Sequence, residues 1–308
     1  MKNKIIILGC GYLGFNLAVD LAKNNEILVL GLENNYTKLL PKSLKFININ
    51  LSNADKLDDV DFTEAIVINA IGGANSLNNI ENFSKELKSI EMVTSIIVKL
   101  NKKEIKMFIQ LSSGGTVYGD PKNQPIVEST PCNPVNIYGL SKMCIESFLK
   151  VNSIENGLKF NIVRLGNPYG GYQDPNKNQG IIPIIIRKTL SNLPLTLWTT
   201  PENTRDYIYI TDFIEGIKAI IESNSNSEIY NLGTGVGTQI IEIVNIVEKE
   251  IGDKLKIESK SIDPKNIESN ILNIEKINNL GFECNFSLVE GIKLEVERIR
   301  KETITRGN

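Results

Sequence analysis

Two residues, Tyr138 and Lys142, have types and a spacing suited to acid–base chemistry. Residues four apart on a helix project from one face, one turn above each other. An ammonium group beside a phenol favours the phenolate, so a group whose ordinary pKa is about 10 can act as a base nearer neutrality. Because the chain has no histidine, this pair is the candidate for taking a proton from a hydroxyl group.

Length and composition limit the classes of function. The chain has 308 residues, 41% hydrophobic content and a net charge of −2, which suits one large domain or two closely joined ones. A net charge this close to zero gives no basic surface for nucleic acid or acidic membranes, and we expect neither partner. The N-terminal apolar run Ile5 to Leu8 is too short for a signal peptide or a membrane span, so we expect a cytoplasmic protein.

The four cysteines, at positions 10, 132, 144 and 284, are far apart in sequence and form no CxxC pair. Without histidine to complete a ligand set, this spacing argues against a zinc site, and we expect no metal. Four reduced thiols fit the expected cytoplasmic location.

A glycine loop follows the first apolar segment. Gly9, Gly11 and Gly14 stand between a predicted strand at 4–8 and a predicted helix at 15–23. In this context the first glycine allows a tight turn, the second lets the backbone approach a pyrophosphate, and the third brings helix and strand together. The predicted cofactor loop therefore includes Tyr12 and Leu13, and the helix N-terminus would hold the phosphates of a dinucleotide.

Strand-like and helix-like segments alternate through the first half of the chain, which predicts a parallel sheet with helices on both faces. The further predicted strands are 27–32, 46–51, 65–70, 107–111 and 161–165, and the further helices are 83–101, 181–191, 212–222 and 240–251. The predicted fold class is α/β, a Rossmann-type doubly wound parallel sheet with a smaller C-terminal α/β region.

The second predicted strand does not end in the acid that commonly bonds the adenosine ribose. Its end holds Gly31, and Glu33 lies two residues later. Glu33 is the candidate ribose ligand, with a solvated loop charge as an equal alternative. NAD is the predicted cofactor and NADP stays open, although Lys38 is the only close cation for a 2′-phosphate.

Several motifs follow one another along nearly the whole chain. They are the glycine loop at 9–14, SSGGTVYG at 112–119, residues 120–128, Tyr138 to Lys142, RLGNPYG at 164–170, TRDY at 204–207 with Asp212, and YNLG at 230–233. In this order and spacing they resemble the extended short-chain dehydrogenase/reductase family, in its NAD-dependent epimerase/dehydratase branch of UDP-glucose 4-epimerase-like enzymes.

The resemblance implies a cofactor-binding region followed by a substrate-binding region. Residues 1–165 would form an NAD(P)-binding Rossmann domain, with 191–222 packing back on it, and 166–308 would mainly bind a nucleotide diphosphate sugar. Tyr138 would be the base, and Lys142 would tune it and bond the nicotinamide ribose. Other residues implied at the cofactor are Asn50 (aligned with an aspartate that meets the adenine), Ala70 and Ser112.

The resemblance also implies substrate contacts in the second half. Asn167 would approach the sugar nucleotide, although an asparagine before Pro168 could merely start a turn. Arg205 would meet a substrate phosphate, for which its rigid fork suits bidentate bonding, although an ion pair with Asp206 is the alternative. Family members commonly dimerise through helices like 83–101 and 138–154, so a homodimer is expected.

The chain departs from the family pattern at three positions that bear on the site. The usual catalytic Ser/Thr aligns with Gly114, so Ser113 or Thr116 must supply that hydrogen bond; we favour Thr116, which in an extended segment would point to the same side. A second phosphate-binding arginine aligns with Asp263. The bulky residue near the sugar 2-position aligns with Asn270, which predicts room for an N-acetylated sugar.

Three functions are compatible with these residues. A dehydratase is not expected, because the Asp–Glu acid/base pair of the family's dehydratases aligns with Gly115 and Thr116. The favoured function is a nucleoside diphosphate hexose 4-epimerase, in which Tyr138 takes the C4 hydroxyl proton and the cofactor is retained. The alternative is an NAD(P)H-dependent 4-keto-sugar reductase, which uses the same side chains. A third is a non-catalytic Rossmann binding protein.

Overall fold

The computed structural model describes residues 2–72, 83–174, 180–260 and 267–306. Two compact units are formed: unit 1 comprises Met1–Gly119, Pro131–Leu165 and Ile220–Tyr230, and unit 2 comprises Asp120–Thr130, Gly166–Ala219 and Asn231–Asn308. All four cysteines are free. Within the described ranges, no helix has both the length and the apolar character needed to cross a bilayer.

The elements alternate along the chain as expected for an α/β protein. The strands are β1 Lys4–Leu8, β2 Glu26–Gly31, β3 Lys45–Asn48, β4 Ile66–Asn69, β5 Met107–Ser113, β6 Phe160–Leu165, β7 Asn167–Tyr169, β8 Leu195–Leu197, β9 Thr204–Tyr209, β10 Glu228–Leu232, β11 Gly237–Gln239, β12 Ile257–Ser259 and β13 Ser269–Asn270. The helices are α1 Tyr12–Leu21, α2 Phe83–Leu100, α3 Gly114–Val117, α4 Ile137–Asn156, α5 Ile181–Leu190, α6 Ile210–Ser223, α7 Ile240–Ile251, α8 Glu275–Asn278 and α9 Leu288–Arg306. Single 3₁₀ turns span Thr37–Leu39 and Ala54–Leu57.

Unit 1 is built on a seven-stranded sheet with the order β10-β6-β5-β4-β1-β2-β3. The pairings among β1 to β6 are parallel. Because the strand order reverses between β1 and β4, the loops after these strands open at the switch point where doubly wound sheets bind ligands. This architecture confirms the predicted Rossmann-type fold class.

The core of unit 1 forms because the parallel strands are apolar on both faces. Strand residues and the apolar stripes of α2 and α4 join in one buried cluster, which includes Ile6, Leu8, Val67, Phe108, Ile162, Val93, Ile97 and Leu149. Burial of each such side chain contributes about 1.5–3 kcal/mol. This packing holds α2 and α4 against the sheet, and α4 carries the candidate catalytic pair Tyr138 and Lys142.

Unit 2 has a small sheet centred on β9. Strand β11 pairs with β9 antiparallel, whereas β7 and β13 pair with it in parallel. Strands β8 and β12 form a separate two-stranded sheet. Residues 191–219 belong to unit 2 and residues 220–222 to unit 1. The division at residue 165, with 191–222 packing back on the Rossmann domain, stays a prediction.

Candidate functional site

The glycine loop between β1 and α1 has the geometry of a phosphate cradle. Gly9 has φ = +91°, a conformation that side chains disfavour, and a Cβ on Gly14 would collide with the carbonyl oxygen of Gly9. A Cβ on Gly11 would meet no atom within 4 Å, and Gly11 caps α1 without a side-chain hydrogen bond. The loop therefore offers bare backbone and helix N–H groups to open space, which fits a dinucleotide pyrophosphate.

At the end of β2, Gly31 stands where the acid was expected. Gly31 is buried, and a Cβ there would lie in ordinary contact with the glycine loop, 3.6 Å from the Cys10 nitrogen. Glu33 is exposed, so its role at the ribose stays a prediction. The next residue, Asn34, donates from Nδ2 to the Cys10 carbonyl oxygen at 3.1 Å, and its Oδ1 accepts from the amide of Tyr36 at 2.8 Å. Asn34 thus braces the glycine loop, a contact that no sequence motif indicated.

The other residues predicted at the cofactor occupy different settings. Ala70 donates its amide to the Leu8 carbonyl, and its Cβ lies against the glycine loop, 3.3 Å from the position that a Cβ on Gly14 would take. Asn50 is exposed and accepts from the Ser52 amide at 3.0 Å. The roles of Ala70 and Asn50 at the cofactor stay predictions.

Ser112, at the end of β5, belongs to a buried polar cluster. Its hydroxyl donates to Glu146 Oε1 at 2.5 Å. Glu146 in turn accepts two hydrogen bonds at its Oε2, from Nε and Nη2 of Arg164, at 3.2 and 2.7 Å. Since both charged side chains are at most 2% exposed, their mutual bonding is what makes the burial of two charges tolerable. The Ser112 hydroxyl therefore orients this ion pair, and its role at the cofactor stays a prediction.

The segment expected to be extended after β5 is a helical turn. Residues Gly114–Val117 form α3, for which Ser113 is the N-cap residue. The argument that Gly114 and Thr116 share a side of a strand is therefore wrong, because residues two apart on a helix point in different directions. The Thr116 hydroxyl oxygen is nevertheless buried and has no hydrogen-bond partner among the described residues. Both Thr116 and Ser113 stay candidates for the missing hydroxyl.

The start of α4 positions Tyr138. The Asn136 side chain caps the helix by accepting from the Gly139 amide at 2.7 Å, which places Tyr138 in the first turn. A Cβ on Gly139 would lie 2.6 Å from the Thr116 carbonyl oxygen. Glycine at this position is what lets the first turn of α4 lie directly against α3.

The structure brings Tyr138 and Lys142 together as predicted from their spacing. Lys142 Nζ lies 5.6 Å from the centroid of the Tyr138 ring. The lysine is 5% exposed, and its Nζ donates to the carbonyl oxygens of Leu111 at 3.3 Å and Ile71 at 3.4 Å. This pair, reached from α4, β5 and the loop after β4, is the candidate catalytic centre of unit 1.

Electrostatics at the pair differ from the expectation. Burial, and next the negative charge of Glu86, raise the pKa of Tyr138 to about 12. Burial also lowers the pKa of Lys142 to about 8, although Glu86 and Glu146 act in the opposite direction. Desolvation and a like charge both disfavour the phenolate, so they act against the expected effect of the Lys142 ammonium, and the role of Lys142 in tuning Tyr138 stays a prediction.

The side chains of the predicted substrate residues of unit 2 donate hydrogen bonds to backbone carbonyl oxygens of other residues in that unit. Asn167 donates from Nδ2 to the carbonyl oxygen of Asp206 at 3.1 Å. Arg205 donates to the carbonyl oxygens of Thr204, at 2.8 Å, and Ile267, at 2.7 Å, and burial lowers its pKa. These contacts hold β7, β9 and the chain before β13 in place, so the substrate roles of both residues stay predictions.

The alternative ion pair between Arg205 and Asp206 is not formed. The Asp206 carboxylate accepts from the amides of Thr234, Gly235 and Leu272 at 2.8–3.3 Å, and from the Thr234 hydroxyl. Adjacent strand residues point to opposite sides, which separates the two charges. Asn270 is fully buried opposite Arg205 in the β9–β13 register, and Asp263 lies outside the described residues.

Two further residues near the catalytic pair were missed, although each had a sequence signal. Glu146 follows Lys142 by four positions and so shares its helix face. Glu86 continues the apolar stripe Ile90, Val93, Ile97 of α2, where a carboxylate stands out because such positions face the core. Its burial at 3% exposure follows from that periodicity.

Comparison with known proteins places this geometry in context. The model of the NAD dependent epimerase/dehydratase family matches residues 5–233. A putative UDP-glucose 4-epimerase of Methanocaldococcus jannaschii is 30% identical over 308 residues, covering 96% of this chain and 98% of that protein. The dTDP-4-dehydro-6-deoxyglucose reductase of Escherichia coli is 29% identical over 222 residues, covering 71% of this chain and 70% of that one.

A solved structure agrees over the full fold. The UDP-glucose 4-epimerase of Thermotoga maritima, determined with UDP-glucose, superposes with a TM-score of 0.90 at 25% identity and covers 97% of this chain and 99% of that one. The likeness includes both the Rossmann-type sheet and the C-terminal region.

Proposed function

The chain belongs to the NAD-dependent epimerase/dehydratase family, and from that premise we propose that it is a nucleoside diphosphate hexose 4-epimerase acting by transient oxidation at C4. The observation that carries the proposal is the Tyr138–Lys142 pair on α4, in which the ammonium lies 5.6 Å from the ring centroid and the lysine is buried, in the same unit as an open glycine loop. The similarity to the putative UDP-glucose 4-epimerase, along nearly the full length of both chains, supports the choice of reaction.

The cofactor would be held by residues of unit 1. The open backbone at Gly11 and the uncapped first turn of α1 would bind the pyrophosphate, and Lys142 would bond the nicotinamide ribose. NAD supplies the reversible hydride acceptor that oxidation and reduction at one carbon require. Glu33 is the proposed ribose contact at the adenosine end, reached from the loop that Asn34 fixes.

Tyr138 would move the proton. Its phenolate oxygen takes the proton of the C4 hydroxyl as C4 becomes a ketone, and the phenol returns it when C4 is reduced on the other face. Burial and Glu86 raise the pKa of Tyr138, so the phenolate needs positive charge nearby. The Lys142 ammonium provides part of it, which requires that Lys142 keeps its proton.

A hydroxyl group would orient the substrate in place of the side chain that Gly114 lacks. Thr116 is preferred because its hydroxyl oxygen is buried without a partner among the described residues, and an unpaired buried hydroxyl costs about 1–3 kcal/mol unless a ligand satisfies it. Ser113 is the alternative, as a half-buried N-cap residue with no side-chain cap bond.

Unit 2 would bind the nucleotide diphosphate. Arg205 donates to neutral carbonyl oxygens of Thr204 and Ile267, which leave its positive charge unbalanced, so a phosphate would gain a charge-assisted partner. Asn167 and Asn270 are the further proposed contacts, the latter for the substituent at the sugar 2-position.

A reductase acting on 4-keto sugars is the second candidate. It is favoured by the similarity to the Escherichia coli reductase and by the exposed position of Glu33, since weak ribose contacts suit a cofactor that leaves after each turnover. Mass spectrometry of the dinucleotide released on denaturing freshly purified protein separates the two. Near-stoichiometric NAD supports the epimerase; protein that releases none and needs added NADPH supports the reductase.

We also propose that unit 1 pairs with a second copy through α2 and α4. Apolar side chains recur along one exposed stripe of each helix, at Leu87 and Val98 on α2 and at Leu140, Val151 and Ile154 on α4, the last 86% exposed. Burying such a stripe against its symmetric copy is the usual reason for apolar exposure of this kind. Light scattering on the purified protein should give the mass of a dimer.

A further inference from the structure

A buried carboxylate on α2, that of Glu86, stands beside the candidate catalytic pair. Glu86 is 3% exposed, and its Oε2 accepts from the Ser141 hydroxyl at 2.7 Å. Ser141 precedes Lys142 and lies one turn after Tyr138, and its hydroxyl is also 2.8 Å from the Tyr138 carbonyl oxygen. The other oxygen of Glu86, Oε1, is buried with no hydrogen-bond partner among the described residues.

The charges that face Lys142 from its neighbouring elements can be compared in turn. From α4 comes Glu146, whose charge is already balanced by the bidentate contact with Arg164 of β6. Strand β5 and the loop after β4 offer the neutral carbonyl oxygens of Leu111 and Ile71. From α2 comes Glu86, which accepts from a neutral hydroxyl. Within the described part of the chain, Glu86 is therefore the negative charge in this group that no arginine or lysine neutralises by direct contact.

A buried ammonium needs a compensating charge. Lys142 is 5% exposed and its hydrogen bonds to carbonyl oxygens are long, at 3.3 and 3.4 Å, so they stabilise the charged form only weakly. Desolvation favours the neutral amine for a lysine in such a place. A second charge of opposite sign nearby restores the ammonium, and an uncompensated carboxylate is costly to bury unless it has this function.

We propose that Glu86 is a positioning residue of the catalytic pair: its carboxylate on α2 is the counter-charge that keeps Lys142 an ammonium beside Tyr138. The inference rests on the proposed function only in taking Tyr138 and Lys142 as the working pair. The arrangement has a cost, because the same charge opposes the Tyr138 phenolate. Glu86 thus keeps the lysine charged and at the same time makes the tyrosine harder to deprotonate.

The direction of both effects agrees with this arrangement. Glu86 raises the pKa of Lys142 against the burial that lowers it to about 8, and it raises the pKa of Tyr138. A neutral side chain at position 86 should therefore lower the charged fraction of Lys142 at neutral pH. Loss of the charge would lower the pKa of Lys142 by about one unit, the scale of a nearby opposite charge partly screened by its surroundings.

The test is a titration of Lys142 followed by NMR of the ε-carbon in purified protein labelled at lysine, with Lys142→Arg used to assign its signal. Glu86→Gln keeps an acceptor for Ser141 and removes the charge. Glu86→Leu also removes the charge and continues the apolar stripe of α2, so it can replace Glu86→Gln if that variant does not fold. Glu86→Asp retains the charge. Glu91→Gln removes an exposed carboxylate from the same helix and serves as the control.

The pKa of Lys142 is expected to fall by about one unit in Glu86→Gln and Glu86→Leu, and to stay near that of the unaltered protein in Glu86→Asp and Glu91→Gln. An unchanged pKa in the two neutral variants would overturn the proposal, and so would an equal fall in Glu91→Gln. The titration needs no sugar substrate. A shift in a protein that converts no nucleotide sugar would therefore refute the proposed reaction while leaving the role of Glu86 in place.

Discussion

The two units treat their predicted functional residues in opposite ways. In unit 1, the half-buried Tyr138 lies next to the buried Lys142, and two neighbouring groups, Thr116 Oγ1 and Glu86 Oε1, are left without hydrogen-bond partners among the described residues. In unit 2, the side chains of Asn167 and Arg205 bond to backbone carbonyl oxygens of their own unit.

This difference separates residues that stabilise the fold from residues whose burial costs the fold free energy. The contacts of Arg205 and Asn167 stabilise β7 and β9 whether or not a ligand binds. Lys142, whose pKa burial lowers to about 8, makes only long hydrogen bonds to carbonyl oxygens, and the Thr116 hydroxyl has no partner in the described ranges. Both groups stabilise the fold little, and such features concentrate at functional sites. The argument for chemistry is therefore stronger for unit 1 than for unit 2.

The largest effect is expected for Tyr138→Phe, which removes the proposed base. Turnover should fall by at least about 100-fold, the lower range of a general acid–base contribution, when epimerisation is followed by ¹H NMR. Tyr230→Phe is the matched control, since it removes a phenol hydroxyl from β10 of the same unit, where that hydroxyl donates to the Ser225 hydroxyl at 2.9 Å; it should keep normal turnover. Equal turnover in both variants would remove Tyr138 from the mechanism.

Arg205→Met tests whether Arg205 of unit 2 binds a substrate phosphate or only stabilises the fold. If Arg205 binds a substrate phosphate, KM should rise by about 10- to 100-fold with kcat little changed, the scale of a hydrogen bond to a charged group. If its contacts with the Thr204 and Ile267 carbonyls are its whole function, Tm should fall while KM stays constant. Measuring KM and Tm on the same preparation decides between the two.

The pH dependence of turnover should report the charge of Lys142. Its pKa is lowered to about 8 by burial, so the ammonium is present below that pH and is lost as pH rises through it. Tyr138 must also lose its proton to act as the base, and its pKa is raised to about 12, so above pH 8 the gain in phenolate offsets the loss of ammonium. Turnover should therefore rise about tenfold per unit up to pH 8 and level off above it, as expected when one group must be deprotonated and another protonated. In Lys142→Arg the charge persists throughout, and whatever activity remains should keep rising between pH 8 and 10. A plateau that begins at the same pH in this variant would assign the break to another group.

Thr116→Val should have the smallest effect on rate and an opposite effect on stability. Removing a buried hydroxyl that has no partner among the described residues should stabilise the fold by about 1 kcal/mol, measured by urea unfolding. Turnover should fall by about 3- to 10-fold if the hydroxyl orients the substrate, the share of a single neutral hydrogen bond. A stabilised variant with undiminished turnover would shift this role to Ser113, for which Ser113→Ala is the direct test.

The sequence predicted the parts of the site that local pattern determines. Apolar runs and the glycine spacing predicted the parallel sheet and the loop at 9–14, and a separation of four residues predicted that Tyr138 and Lys142 share a helix face. These features depend on neighbouring residues, which a sequence displays directly.

Contacts between segments that are distant in sequence could not be predicted from local pattern. The helical turn at 114–117 forms where Gly139 lets α4 pack against α3, and no local pattern announces that contact. The pKa of Tyr138 depends on burial and on Glu86, which lies far away in sequence on α2. Since desolvation is set by tertiary packing, the spacing of Tyr138 and Lys142 could predict their proximity but not the balance of their charges.

Transient oxidation at C4 is tested most directly with UDP-glucose and UDP-N-acetylglucosamine deuterated at C4, incubated in ordinary water with the purified protein and no added cofactor. We predict that at least one of the two is converted into its C4 epimer with the deuterium still at C4, because the hydride that leaves the sugar is the one that returns. Conversion should be lost in Tyr138→Phe. An epimer carrying protium at C4, or no conversion of either sugar by protein that contains NAD, would contradict the proposed reaction.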